Sequence, residues 1–478
     1  MPKIVIREKD NTTAGIITET NFAVVVPGFY SASDDKNAKT GRYAFDDNGV
    51  FECKSASVFL TKIGAVAPKV TNIEVTQRNV TSSIPVLSYG NQIAYELLNL
   101  GYPILYLNLG KQEQSNSEFA NFYNGSLLEP LKDKANYDFR FIITGITADN
   151  KEQNGFNLTR TLAEHIINLA YFDEDNQSNC GRGDCIALVD INKDVYKDDA
   201  ITTQAKVISA IQKEANEITT SNKKGKYAAL FAPTLCFSNL ASQSKALLTV
   251  TDNNYGTTVN SELPASFYYL ACFAHSVKDL SFAEWYAAAG LTRGKSTLNV
   301  VSTAVKLGEN AVNLLEPRIQ IEIEEIEGSG SEKATLKKAI NIIANFRNTF
   351  VLWGNRTAYD LTNDDKSGGL IASHFLNIRQ LCTTLKKEIY QACKKFTFDP
   401  NSDVLWVNFC NALRPTLETM RADQGIQDYE IIKLDPNGVK GLLKARIRIV
   451  PIEAVEDFDI EIALEDSISG STSVSINE

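Results

Sequence analysis

Both ends of this chain alternate apolar and polar residues with a period of two, over stretches the chain is poorly placed to pair by itself. Near the start, Lys3-Ile4-Val5-Ile6-Arg7 puts Ile4 and Ile6 on one face and Lys3, Val5 and Arg7 on the other. Near the end, Lys444-Ala445-Arg446-Ile447-Arg448-Ile449 alternates basic and apolar residues. Phe458-Asp459-Ile460-Glu461-Ile462-Ala463-Leu464-Glu465 then alternates apolar and mostly acidic ones. Period-two alternation is the pattern of a half-buried strand. An isolated hairpin is marginal in water, and an unpaired strand edge recruits other chains. Such strands at both termini predict a subunit that links to copies of itself. The linking positions are Ile4, Ile6, Arg446, Ile447, Ile449, Phe458, Ile460 and Ile462.

A chain of 478 residues exceeds a single core, so two to four domains are expected. The formal net charge of -10 argues against a general nucleic-acid binder, which needs a basic footprint. No apolar run approaches the roughly 20 residues that cross a bilayer, so stable membrane insertion is not expected. The N-terminal residues lack the apolar core of a secretory signal, which predicts folding in a cytoplasm. Eight cysteines scattered through the chain make no disulfide framework. The three histidines, His165, His275 and His374, are far apart, so the commonest general base and metal ligand is scarce.

Along the chain, a strand is predicted at 22–26 and a polar, irregular stretch at 29–57. From 90 to 240, helices (91–100, 158–170, 202–218) alternate with short apolar strands (103–107, 139–143, 185–190, 227–233). That order predicts an α/β layer on a largely parallel sheet. An exposed loop is expected at 241–262, an apolar helix at 264–275, and a Glu-rich surface excursion at 316–335. A compact α+β unit follows: a helix at 336–349, a strand at 350–353, then helices around 378–392 and 404–420. The fold class is therefore α/β and α+β multidomain. The expected divisions are an N-terminal linking strand and extension (1–21), a middle α/β region (22–335), a C-terminal unit with linking strands (336–466) and a disordered Ser-rich tail (467–478).

Motifs that would carry chemistry are weak. Ala289-Gly290-Leu291-Thr292-Arg293-Gly294-Lys295-Ser296 approaches a phosphate loop, but Ala289 stands where the first Gly is needed and no strand precedes it. Cys180 and Cys185 have a C-x4-C spacing without a second Cys/His pair, which reads as a Gly-rich turn before a strand. Cys382, Cys393 and Cys410 read as small apolar residues of the C-terminal helices. Asp190 ends a strand, a place used by functional acids and by helix caps alike. An enzyme that uses Asp190 and the 289–296 loop on a phosphate-bearing ligand is the competing functional class.

Phe350-Val351-Leu352-Trp353-Gly354-Asn355-Arg356-Thr357 carries a resemblance. With Phe375-Leu376-Asn377-Ile378-Arg379-Gln380-Leu381, the turn Phe398-Asp399-Pro400-Asn401, Trp406, Gly425, and Pro451 to Glu456, it is similar in order to the C-terminal region of contractile tail sheath proteins. Upstream, 227–233, 263–266 and 285–294 resemble further elements of that family, with Ala288 where Pro is usual. The resemblance implies a structural subunit of a bacteriophage tail or related injection machine, with no catalytic site and no cofactor. Its terminal strands would exchange between subunits and build stacked rings around a tail tube. Its partners would be copies of itself, the tube protein, and baseplate and tail terminator proteins. Its place would be the virion tail, after assembly in host cytoplasm. Trp353, Gly354, Arg356 and Thr357 are the motif residues, and their expected role is fold maintenance within one subunit.

Overall fold

The computed structural model describes residues 23–28, 46–63, 72–76, 79–83, 90–110, 116–145, 158–172, 181–195, 203–218, 222–242, 258–316, 338–360, 371–435 and 440–455. The strands expected at 3–7 and 458–465, and the excursion after Glu316, lie outside the described residues.

The elements run β1 (Val24–Gly28), β2 (Val50–Cys53), α1 (Ala56–Ile63), β3 (Asn72–Thr76), β4 (Asn79–Ser83), α2 (Gly90–Asn99), β5 (Ile104–Asn108), α3 (Asn116–Phe122) and β6 (Phe141–Ile143). They continue with α4 (Leu158–Ala170), β7 (Ile186–Asp190), α5 (Gln204–Ile218), α6 (Asn222–Gly225), β8 (Ala228–Ala232), β9 (Leu235–Ser238), β10 (Thr258–Leu263) and α7 (Ala265–Ala274). The last are α8 (Gly290–Arg293), β11 (Asn299–Thr303), α9 (Glu309–Leu315), β12 (Asn341–Phe346), β13 (Thr349–Leu352), α10 (Leu376–Phe396), α11 (Asp403–Ala422), β14 (Ile426–Leu434) and β15 (Lys444–Pro451).

Eight strands form the main sheet in the order β13-β12-β8-β7-β6-β1-β5-β2. The six inner strands are parallel, while β13 and β2 pair antiparallel at the edges. Both faces are covered, so neighbouring residues of one strand enter opposite cores: Val25 and Leu230 pack with α4, α5 and α9, while Val24 and Phe231 pack with α1, α2 and α7. Burial on both faces explains why these strands read as continuous apolar runs. A second sheet, β11-β9-β10-β4-β3, lies apart from it, and β14-β15 is a separate two-stranded sheet.

Three expectations are corrected here. The stripe Leu336, Ile340, Ile343 predicted a helix at 336–349. The chain instead forms β12, parallel to β8, and turns at Arg347 and Asn348 into β13. Ile342 and Ile343 enter opposite cores, so the run is apolar because the strand is doubly buried. The stretch at 29–57 contains β2, and the loop expected at 241–262 ends in β10. Among the described residues no helix is long and apolar enough to cross a membrane.

The third core lies under α10, α11 and the β14-β15 hairpin. It joins Trp285, Leu381, Leu385, Phe409, Leu413, Leu417 and Met420. Buried polar contacts tie α10 to the main sheet. Arg140 reaches Glu284 at 2.6 Å and Thr384 at 2.9 Å, and Thr384 donates to Glu284 at 2.6 Å.

Candidate functional site: the C-terminal hairpin and its anchor

The hairpin grows out of the end of α11. Ser402 caps that helix, its hydroxyl accepting from the Leu405 N–H at 3.3 Å. At the other end Gln424 takes the left-handed conformation (φ +57°), and the Gly425 N–H returns to the Met420 carbonyl at 2.7 Å. The left-handed residue is therefore Gln424. Gly425, which follows it, is required for another reason: a Cβ there would stand 2.7 Å from the Trp285 ring nitrogen and 2.8 Å from Leu381. Trp285 Nε1–H donates to the Asp423 carbonyl at 3.0 Å, which fixes the chain as it enters β14.

β14 and β15 pair from Leu434↔Lys444 to Ile426↔Pro451, with a register shift between Ile426 and Asp428. Tyr429, Ile431, Ala445, Ile447 and Ile449 face α11 and pack on the third core. Each isoleucine is half-buried there, a contribution on the order of 1 kcal/mol apiece. The opposite face is polar and exposed. Glu430 sits across from Arg448, 3.3 Å from it, and Arg446 and Lys444 continue the basic row. So exposed a pair contributes about 0–1 kcal/mol. Among the described residues no strand pairs with the outer edge of either β14 or β15. Among the described residues, most exposed large apolar side chains also lie in this unit: Phe398, Val404, Val407, Leu442, Val450, Ile452 and Val455.

The predicted linking residues are placed unevenly. Ile4, Ile6, Phe458, Ile460 and Ile462 lie outside the described residues. Residues 444–449 do form a strand, but its first partner is β14 of the same chain. Ile447 and Ile449 are spent on the internal core, Arg446 is exposed, and the second edge of β15 is unpaired among the described residues.

The motif residues converge on one buried knot. Asn341 Nδ2 donates to the carbonyls of Leu230 (3.0 Å) and Arg356 (2.9 Å), and its Oδ1 accepts from the Arg356 N–H at 2.7 Å. The Arg356 side chain is fully buried, 4.8 Å from the Phe375 ring centroid and 3.6 Å from Glu316. Thr357 donates to the Ser373 carbonyl at 2.7 Å, and Asn355 Nδ2 to Asn377 at 2.8 Å. Trp353 packs on Phe346 at 4.8 Å. The knot fastens β12 and β13 to β8 and to the start of α10. Sequence reading did not single out Glu316 and gave Asn341 no role; for Asn341 the signal was a polar residue inside an apolar run.

The residues of the competing enzymatic reading hold structural positions. Asp190 accepts from the Ser266 N–H at 2.7 Å and its hydroxyl at 2.6 Å, at the start of α7. Burial pushes its carboxyl up to about 7. In the 289–296 loop, Arg293 Nε donates to the Ala287 carbonyl at 2.8 Å and stacks on Phe282, while the Gly294 carbonyl accepts from the Leu352 N–H at 2.7 Å. Cys185 is buried and its thiol is pushed up to about 12; its partner in the spacing, Cys180, lies outside the described residues. His374 is buried and accepts from the Ile371 N–H at 2.9 Å. His275 pairs with Asp279. Of the helix cysteines, Cys410 is buried, Cys382 half-buried and Cys393 exposed, so the apolar-core reading fits Cys410 best.

The fold is similar to that of chains in solved structures of contractile sheath assemblies. A chain in the structure of the anti-feeding prophage baseplate matches with a TM-score of 0.55 and 13% identity, covering 97% of this chain and 99% of that one. The anti-feeding prophage helical sheath in its contracted state matches with a TM-score of 0.54 and 13% identity, over 97% and 99%. The sheath complex of an extracellular contractile injection system, PVC, in its contracted state, matches with a TM-score of 0.53 and 14% identity, over 98% of each chain. No protein-family model matches the sequence, and no curated protein does. At such identities the likeness is one of fold.

Proposed function

We propose that this chain is a structural subunit of a contractile sheath and not an enzyme. Copies polymerise head-to-tail into stacked rings around a tail tube, and contraction of the lattice drives the tube through a cell envelope. The observation that carries this reading is the β14-β15 sheet, anchored on its own core yet with both outer edges unpaired among the described residues, in a chain with a sheath fold. Terminal strands of neighbouring copies complete those edges by β-augmentation: backbone hydrogen bonds supply the link and alternation fixes the register. A head-to-tail contact of this kind generates a helical polymer, not a closed dimer.

Charge supports the pairing. From Ile449 to Glu478 there are eight acidic residues and no Lys or Arg, whereas 440–448 carries Lys440, Lys444, Arg446 and Arg448. Opposite charges on adjacent strands favour pairing. The further partners are the tube protein and the baseplate and terminator proteins that bound a sheath. Its site is the tail particle, assembled in host cytoplasm. Work is stored at assembly and released as rigid bodies exchange contacts, without nucleotide. The test is negative-stain microscopy of the overexpressed protein. Long hollow tubes of uniform width support the reading, and nucleotide-dependent thermal stabilisation of a monomer that never forms tubes refutes it.

A further inference from the structure

Around Tyr227 the molecule gathers three cationic side chains. Tyr227 is buried just ahead of β8. The Arg379 guanidinium lies 4.7 Å from its ring centroid, Lys386 Nζ 5.1 Å and Lys226 Nζ 5.4 Å. Arg379 and Lys386 are two helical turns apart on one face of α10, so both reach the same ring. Lys386 donates to the Gly183 carbonyl at 3.1 Å and to Tyr227 Oη at 3.3 Å. Burial, and next the Arg379 charge, bring its amine down to about 8, with Lys226 and Lys134 adding to the fall.

Arg379 is the unusual member. It is 8% exposed, its Nε is buried without a hydrogen-bond partner, and no carboxylate among the described residues pairs with it. Two acids of this region serve other cations: Asp184 holds Arg182 at 2.9 Å, and Asp138 holds Lys387. A guanidinium cannot shed its charge by losing a proton, and buried charges are otherwise paired. Its planar fork matches a carboxylate or phosphate, and an ammonium beside it adds a second donor.

We propose that Arg379 and Lys386, with Lys226 beside them at the Tyr227 ring, form an oxyanion site that takes a carboxylate or a phosphate group. The group comes either from a free phosphate or from an acidic side chain of a second copy, and one experiment separates the two. Thermal unfolding of the full chain is followed in chloride and in inorganic phosphate at equal ionic strength, beside Arg379→Met and Lys386→Met, and tube formation is scored for all three proteins. For a free phosphate, the wild-type midpoint rises by roughly 2–4 °C in phosphate and the variants do not respond. For a carboxylate of a second copy, phosphate leaves the midpoint unchanged. The variants then unfold at or above the wild-type temperature, because an uncompensated charge is gone, yet fail to form tubes. This second arm rests on the sheath reading and the thermal arm does not, so a wild type without tubes counts against the sheath while phosphate still decides the site. No phosphate response, with variants that match the wild type in assembly, overturns the proposal.

Discussion

Replacing Gly354 by Ala tests whether the Trp353-to-Thr357 motif serves the subunit's own fold. A Cβ at 354 would lie 2.7 Å from Asn341 Cα, 2.9 Å from its Oδ1 and 3.0 Å from its Cβ. Asn341 cannot retreat freely. Its backbone pairs with Phe231 in the main sheet, and its side chain makes three hydrogen bonds, to Leu230 and twice to Arg356. Forcing an extra methyl into such a site costs about 1–3 kcal/mol. Breaking one or two of the amide's hydrogen bonds adds about 1 kcal/mol each. The expected loss is about 2–5 kcal/mol, a large part of the roughly 5–15 kcal/mol that stabilises a typical domain. Guanidinium denaturation followed by tryptophan fluorescence measures it, with Trp353, packed on Phe346, as a reporter beside the substitution. A variant within about 0.5 kcal/mol of wild type that nevertheless fails to assemble would refute the reasoning and move the motif to a subunit contact.

Deleting residues 1–8 is expected to leave a folded, soluble protein that cannot polymerise; sheath-like tubes in micrographs of that variant would contradict the linking role of Ile4 and Ile6. Replacing Ile460 and Ile462 together by Asp is expected to abolish tubes while leaving monomer unfolding nearly unchanged, and a large fall in the monomer's midpoint would assign that strand to its own subunit. Asp190→Asn addresses the buried acid. The wild-type carboxyl sits at about 7 when folded, above its ordinary value of 3.8, so between those values the native state holds a proton that the unfolded chain has lost. Wild-type stability then carries a downward slope as pH rises from about 4 to 7, and the Asn variant lacks it. Parallel pH profiles for the two proteins would show that Asp190 is ionised throughout.

The α/β body was legible because its helices are amphipathic and its strands short and apolar. Helix α4 falls at the residues that periodicity assigns to it. β12 was misread because Ile340, Ile342, Ile343 and Ala344 are all buried, and a run buried on both faces carries no period that separates strand from helix. β14 was overlooked for the opposite reason. The register shift between Ile426 and Asp428 and the Ile431-Ile432 doublet break its alternation, and its exposed face mixes Asp428, Glu430 and Ile432. For the candidate site, the basic strand at 444–449 was visible in sequence, but its attachment to β14 was not. That attachment depends on a core assembled from Trp285, α10 and α11, residues far apart along the chain.

The central claim is that adjacent copies finish a sheet that one copy leaves open. Helical reconstruction by electron microscopy of tubes grown from the purified full chain tests it most directly. The account predicts that each β14-β15 hairpin is widened at its outer edges by terminal strands traced to other copies, giving a continuous mesh along the tube. A reconstruction in which those edges are filled by the same chain's own termini, or remain bare while the tube still holds together, would contradict it.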